Sequence, residues 1–169
     1  MLEIRTEVKN GKVYAYTSIN ETFINKIKLS GGQWDPIERG WYLAERREAE
    51  MQEILLKTYG YIGKPNEVVD VKITINENGI VRPTRKNHFT AFGLPVFMIY
   101  GRDSGAKESE HVEIIFGGAT SGGSAKNFKM IIEPDTTFIL KGVPKVAVDN
   151  KINFQKSWGT YEILEPSKD

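Results

Sequence analysis

Two stretches near the start of the chain, residues 2–8 and 13–19, alternate between hydrophobic and polar positions. The segment Lys9-Asn10-Gly11-Lys12 separates them. Asn-Gly between two alternating runs is a strong hairpin signal, because both residues tolerate a positive φ. The pattern therefore predicts a β-hairpin at the start of the chain.

The period of the pattern changes to a helical one after this hairpin. Asn20 is suited to cap a helix, and Phe23 and Ile27 follow it at helical spacing. Gly31-Gly32 predicts where this first helix ends. A second helix is predicted from about residue 46 to residue 59, with Gly60 as its C-terminal cap. Its apolar stripe consists of Met51, Ile54, Leu55 and Tyr59.

Two short extended pieces are predicted between the helices, one around Trp34 and one over residues 41–43. Asp35-Pro36 and Arg39-Gly40 bound the turn that joins them, and Asp35 is suited to support that turn through its side chain. The predicted order is therefore ββαββα within residues 1–62.

Helical periodicity disappears after residues 62–66, which have the composition of a linker. Short strand candidates separated by Gly, Pro and Asn follow, at 68–75, 90–101, 111–116, 127–133, 136–143, 145–148 and 159–164. Many short strands with such turns are typical of a barrel or sandwich. We therefore expect an α+β protein, with an α+β module at residues 1–62 and an all-β, barrel-like domain, OB-like in one form, at residues 67–169.

Composition excludes some chemistries and leaves others open. The 169 residues carry a net charge of +1, which does not announce a nucleic-acid binder but leaves room for a local basic patch. Cysteine is absent, so disulfides, thiol catalysis and cysteine zinc sites are excluded. The apolar runs are too short for a membrane span, and the first residues do not resemble a secretory leader. We expect a cytoplasmic protein with no membrane partner.

Catalytic motifs are missing from the sequence. The two histidines, His88 and His111, lie in unrelated segments, and neither belongs to a metal-binding spacing or a nucleophile motif. We therefore expect no enzyme activity, no cofactor and no metal site. An enzyme with a dispersed active site is the least favoured alternative.

Trp34 and Trp41, two of the three tryptophans, allow two interpretations. In the first they are core residues, since a small module needs its large side chains for its core, and at least one ring is expected to be buried. In the second an exposed ring, or Tyr42, lies beside basic residues and stacks on bases. The neighbouring cations are Lys28, Arg39, Arg46 and Arg47.

The segment Gly31-Gly32-Gln33-Trp34-Asp35-Pro36, followed by Arg39-Gly40-Trp41-Tyr42-Leu43, resembles a small module of plasmid, phage and transposon proteins. The resemblance covers residues 20–60. It extends more distantly to the HARP-type domain of annealing helicases, which pairs a Gly-Gly turn with a later Trp. It implies a DNA-processing context and contact with DNA.

Two further segments carry candidate contacts. The basic segment of residues 81–89 is either a solvated loop or a phosphate-contacting loop in which His88 or Phe89 stacks on a base; its other candidates are Arg82, Arg85 and Lys86. Residues 117–126 lack the Gly-Lys-Ser/Thr of a phosphate loop and are expected to form a flexible hairpin loop. Lys126 and Lys129 would then reach a nucleic-acid backbone.

The sequence favours a non-catalytic nucleic-acid-binding accessory protein of a mobile genetic element or phage, with single-stranded DNA as the favoured partner. The alternative is a protein-interaction adaptor that docks a replication, conjugation or defence factor. The candidate nucleic-acid-binding residues are Arg39, Trp41, Tyr42, Arg46, Arg82, Arg85, Lys86, His88, Phe89, Lys126 and Lys129.

Overall fold

The computed structural model describes residues 4–61, 67–82 and 88–164. Strands dominate it, and they form four small antiparallel sheets accompanied by a few helices. The predicted α+β class is confirmed. Among the described residues the strand pairings do not close into a ring, so the barrel-like architecture stays a prediction.

The first sheet has the strand order β1-β2-β4-β3. Its strands are β1 (Arg5–Lys9), β2 (Lys12–Tyr16), β3 (Gln33–Asp35) and β4 (Gly40–Ala44). Helix α1 (Glu21–Leu29) precedes β3, while a 3-10 turn (Glu45–Arg47) and helix α2 (Glu48–Tyr59) follow β4. This is the predicted ββαββα order. In the β1–β2 turn, Asn10 and Gly11 have φ values of 52° and 72°, as the hairpin signal requires.

Capping residues bound both helices where the sequence predicts them. The side chain of Asn20 accepts a hydrogen bond from the backbone N–H of Phe23 at 3.1 Å. Gly60 ends α2 in the left-handed conformation, with φ 70°. The two helices bury one face of the sheet in a first core, which consists of Val13, Ala15, Phe23, Ile27, Leu43, Met51, Ile54, Leu55, Tyr59 and Tyr61.

The rest of the described chain surrounds a second core. Its strands are β5 (Val68–Ile75), β6 (Ile80–Arg82), β7 (His88–Ala91), β8 (Leu94–Ile99), β9 (Ala106–Glu108), β10 (Val112–Phe116), β11 (Ala119–Gly123), β12 (Phe128–Ile132), β13 (Thr137–Pro144) and β14 (Gly159–Leu164). They form sheets of order β10-β13-β5-β14, β11-β12-β6 and β7-β8-β9. A short helix α3 (Lys145–Asp149) and a 3-10 turn (Lys156–Trp158) complete the unit.

Three predictions in this unit are wrong. Residues 90–101 are not one strand, because Phe92 and Gly93 adopt φ values of 49° and 81° and turn the chain between β7 and β8. Residues 145–148 form α3 instead of a strand, and Ala147 and Val148 are buried in the second core. Part of the expected loop at 117–126 is strand β11, which pairs with β12 over its whole length.

The two cores meet through close backbone contacts. The Asn20 side-chain amide donates a hydrogen bond of 3.0 Å to the carbonyl oxygen of Gly93. A Cβ added at Gly93 would lie 3.0 Å from Cα of Tyr59, and one added at Gly60 would lie 2.7 Å from the backbone nitrogen of Ala147. Glycine at these two positions therefore lets the two units approach each other at backbone distance.

Candidate nucleic-acid interface

Alternation along β2 separates two kinds of side chain. Val13 and Ala15 pack into the first core, so Tyr14 and Tyr16 lie on the opposite face of the sheet. Tyr42 of β4 is the register partner of Tyr14 and shares its face. We name this surface, opposite to α1 and α2, the tyrosine face; it consists of Tyr14, Tyr16 and Tyr42 with the cations Arg5, Lys9 and Lys12.

The three rings of the tyrosine face lie in a row. The ring centroids of Tyr14 and Tyr16 are 6.1 Å apart with an angle of 12° between the ring planes. Tyr14 and Tyr42 are 5.4 Å apart and tilted. Tyr14 is buried, whereas the rings on either side of it are half-buried. The rings of Tyr16 and Tyr42 are therefore partly accessible, and the buried ring of Tyr14 between them fixes their positions.

A cation lies over each ring of this row. Cζ of Arg5 is 4.0 Å from the ring centroid of Tyr16. Nζ of Lys12 is 4.4 Å from the centroid of Tyr42, and Nζ of Lys9 is 5.4 Å from that of Tyr14. These distances are those of cation–π interactions. The arrangement places stacking surfaces and positive charges within reach of one another.

Polar partners anchor the hydroxyl groups of these tyrosines. Tyr14 donates to Oδ2 of Asp35 at 3.0 Å, and Tyr42 donates to Oε1 of Gln33 at 2.8 Å. Burial, followed by the hydrogen bond to Asp35, raises the pKa of Tyr14 to about 12. The phenol of Tyr14 is therefore neutral at physiological pH. Tyr16 makes a longer contact of 3.5 Å with Glu38.

Asp35 also organises the turn between β3 and β4, as the sequence predicts. Its Oδ1 accepts hydrogen bonds from the backbone N–H groups of Ile37 at 2.9 Å and Glu38 at 3.1 Å. The Glu38 N–H is the main cause of a lowered pKa of Asp35, and the Tyr14 hydroxyl adds to it. The carboxylate is thus ionised at neutral pH and fixes the position of Tyr14.

Acidic side chains balance the cations of the tyrosine face. Arg5 lies 3.4 Å from Glu7, and Lys9 lies 2.5 Å from Glu38. These ion pairs are partly exposed to solvent, so a phosphate group can compete with the carboxylates. The face is consequently suited to a ligand that combines aromatic rings with spaced negative charges.

The predicted residues of the Trp segment lie mostly away from this face. Arg39 is exposed in the turn with φ 57°, and Arg46 is exposed in the 3-10 turn. Trp34 is 48% exposed, and Trp41 is partly buried against the first core. The expectation that at least one of the two rings is buried is met only in part. Tyr42 is the predicted residue of this segment that lies on the tyrosine face.

The predicted basic segment has one buried end. Phe89 is 1% exposed and packs against Trp158 at 4.7 Å between ring centroids, so its ring cannot stack on a base in this structure. Arg82 is half-buried with its guanidinium 5.4 Å from the Phe89 ring, and burial lowers the pKa of Arg82. His88 lies 3.9 Å from Glu21. Arg85 and Lys86 lie outside the described residues.

The last two candidates belong to the sheet β11-β12-β6 and not to the sheet that carries the tyrosine face. Lys126 is exposed in the turn between β11 and β12, and Lys129 is partly buried on β12. The structure therefore distributes the predicted residues over several surfaces.

Sequence reasoning missed Tyr14 and Tyr16. The alternating run at residues 13–19 contains their signal, because Val13 and Ala15 mark the core face and their neighbours must lie opposite. What the run does not show is that Tyr42 comes from a distant part of the chain to lie beside Tyr14.

The chain matches no protein-family model, no curated protein and no solved structure. Within the described ranges, no helix combines the length and hydrophobicity that a membrane crossing requires.

Proposed function

We propose that this chain is a non-catalytic nucleic-acid-binding accessory protein that binds single-stranded DNA on the tyrosine face. The observation that supports the proposal is the row of three tyrosine rings with a cation over each. Single-stranded nucleic acid needs both elements, since its bases stack on aromatic rings and its backbone follows positive charge.

In this mechanism, two bases stack on the half-buried rings of Tyr16 and Tyr42. Tyr14, held between them and hydrogen-bonded to Asp35, keeps the spacing of the two outer rings. Arg5 and Lys12 move from the rings to the phosphates. Stacking contributes about 1–3 kcal/mol per base, so two platforms suffice for measurable binding despite the balanced charge.

The sequence resemblance over residues 20–60 supplies the setting, a plasmid, phage or transposon protein with a DNA-processing role. The sheet with the tyrosine face belongs to the same unit. A cytoplasmic location and a barrel-like, OB-like closure of β5–β14 are further parts of this proposal, but binding at the tyrosine face does not depend on them.

Fluorescence anisotropy with a labelled oligothymidylate over a salt series tests the proposal. The double variant Tyr16→Ala/Tyr42→Ala should bind at least about tenfold more weakly than the wild type, because both platforms are removed. Tyr16→Phe/Tyr42→Phe should keep most of the affinity, since the rings remain. Tyr100→Ala is the matched control, because Tyr100 is 69% exposed and lies in the other unit.

The salt series separates the electrostatic contribution of the phosphates from the contribution of base stacking. The logarithm of the affinity should fall with the logarithm of the salt concentration, with a slope of about 0.7 for each phosphate that the protein neutralises. Absence of oligonucleotide binding by the wild type at low salt would reject the proposal. An equal loss of affinity in Tyr100→Ala and in the double variant would place binding elsewhere.

A second candidate function, a protein-interaction adaptor, is favoured by one observation at β10. This strand lies at the end of its sheet and exposes Ile115 by 52% and Phe116 by 62%. An edge strand with exposed apolar side chains can receive a strand from a partner protein. Salt-insensitive capture of a replication, conjugation or defence factor that Phe116→Ser abolishes, without oligonucleotide binding, would select this function.

A further inference from the structure

A second aromatic feature lies on the side of the sheet β1-β2-β4-β3 opposite to the tyrosine face, at the connection between β2 and α1. A pocket of about 300 Å³ opens there. Its lining consists of Ala15, Thr17, Ser18, Ile19, Asn20, Phe23, Ile24, Trp34 and Trp41. We name it the tryptophan pocket. Its size is at the lower end of the range for small-ligand sites, which suits a single ring system better than an extended molecule.

The two indoles give the tryptophan pocket an aromatic wall. Trp34 and Trp41 meet edge to face, with ring centroids 5.7 Å apart and 61° between the planes. Because Trp34 is 48% exposed, its ring contacts both the pocket and the solvent. Nζ of Lys28 lies 5.8 Å from the Trp41 ring, so a positive charge is close to this wall.

Ser18 belongs to the lining, but its hydroxyl group lies beneath the surface of the pocket. Its hydroxyl oxygen is buried and has no hydrogen-bond partner, a property that it shares with only Thr58 among the buried side chains of the described residues. Asn20, by contrast, uses its amide for Phe23 and Gly93.

We infer that the tryptophan pocket holds one nucleobase of a bound strand, an inference that rests on the proposed function. A base is planar and stacks on indole, and its nucleotide carries the negative charge that a neighbouring lysine can pair with. The phosphate of the same nucleotide is then within reach of Lys28. An alkyl chain would fill the pocket but would leave Lys28 without a counter-charge.

A comparison of an oligothymidylate with an abasic strand distinguishes base stacking in the tryptophan pocket from electrostatic binding of the backbone. Anisotropy is measured for Trp34→Ala on an oligothymidylate and on an abasic strand of the same length. The variant should lose about tenfold in affinity for the first and nothing for the second, because only stacking is removed. Trp34→Phe, which keeps a ring, should recover most of the loss. Leu29→Ala is the control, since Leu29 is 89% exposed and does not line the pocket.

Indole resonances of the ¹⁵N-labelled protein give a second measurement that uses thymidine monophosphate alone. The signals of Trp34 and Trp41 should shift on titration, and that of Trp158, which is buried in the second core, should not.

The results distinguish the pocket from the proposed function. Oligothymidylate binding that Trp34→Ala leaves unchanged, with static indole signals, would overturn the pocket and leave the tyrosine face in place. Indole shifts with the nucleotide, but no oligonucleotide binding by the wild type, would reject the proposed function and the base of a bound strand, and would leave a pocket for a free nucleotide. Unshifted indole signals, together with no oligonucleotide binding, would overturn both the pocket inference and the proposed function.

Discussion

Gly60 has two separate reasons to be glycine. Its φ of 70° is a left-handed conformation that strains other residues, and its Cα faces the backbone of α3. The chain offers glycines in which these reasons are separated. Gly11 has φ 72° but open space around it, and Gly101 has neither the positive φ nor a close neighbour.

We predict a graded series of stabilities for alanine at these three positions. Gly101→Ala should change the free energy of unfolding by less than about 0.5 kcal/mol. Gly11→Ala should lower it by about 1 kcal/mol through backbone strain alone. Gly60→Ala should lower it by about 2–4 kcal/mol, because overpacking against Ala147 adds to the strain. Urea denaturation measures all three free energies. Equal losses for Gly11→Ala and Gly60→Ala would show that α3 moves away without cost and that overpacking against Ala147 contributes nothing.

The Tyr14–Asp35 pair predicts an alkaline dependence of stability. Tyr14 has a pKa of about 12 in the folded protein, against about 10 for an ordinary tyrosine. Its contribution is therefore complete below pH 10 and is lost as the pH rises from 10 through 12. Burial also raises the pKa of Tyr59, so ultraviolet titration should show at least two tyrosines that ionise late, and the one that depends on Asp35 is Tyr14. In Asp35→Asn this ionisation should move to lower pH, because the carboxylate charge is gone. Asp103→Asn, at an exposed surface position, should not move it.

The lowered pKa of Asp35 acts in the opposite pH range. Its stabilising contribution is present above the pKa of about 3.9 in the unfolded chain and disappears as the pH falls through the lower folded value. The stability difference between wild type and Asp35→Asn should therefore shrink on acidification. A difference that stays constant from pH 7 to pH 2 would contradict the ionised role of Asp35.

At the scale of elements, Asn20 both starts α1 and joins it to the second core. Asn20→Ser keeps a capping oxygen but is too short to reach Gly93, and Asn20→Ala removes both hydrogen bonds. We expect a loss of about 1–3 kcal/mol for the serine variant and about 1 kcal/mol more for the alanine variant. Chemical denaturation checks the series. Equal stabilities of the two variants would mean that the cap contributes nothing.

The elements show where local sequence signals suffice. Asn10-Gly11, Asn20 and Gly60 were predictable, since each backbone conformation follows from the residue and its immediate neighbours. The turn at Phe92-Gly93 was not, because it interrupts an apolar run and Phe is a poor residue for a positive φ. Strand β11 is rich in small residues and owes its form to pairing with β12, which no local pattern shows.

The candidate site was predictable to a similar extent. Tyr42 lies on a strand that the sequence predicted, and alternation could have placed Tyr14 and Tyr16 on the opposite face from the core. Arg5 lies over Tyr16 because the predicted hairpin pairs these two residues, whereas Lys12 lies over Tyr42 because the strand order places β2 beside β4, which is distant in the sequence. Sequence spacing alone does not contain that order.

At the scale of the whole molecule, the contacts between the two cores predict joint unfolding. Asn20, Tyr59 and Ala147 lie at this junction and are almost fully buried. Opening it would expose these groups to water, so neither core is expected to unfold while the other persists. Indole signals of Trp41 in the first unit and Trp158 in the second should disappear at the same urea concentration. Two separate midpoints would contradict this expectation.

The conformation of Phe92 has a consequence for the order in which the chain folds. A bulky residue at φ 49° is strained by itself, and here its ring stacks on Phe154 at 5.2 Å and meets Tyr161 edge to face at 5.0 Å. Phe154 and Tyr161 both follow β7 and β8 in the sequence. During synthesis, β7 and β8 are therefore present before the two rings that stabilise the turn between them. We expect the β7–β8 hairpin to become stable only when β14 has formed. In pulse-labelled refolding, amides of β7 and β8 should become protected together with those of β14.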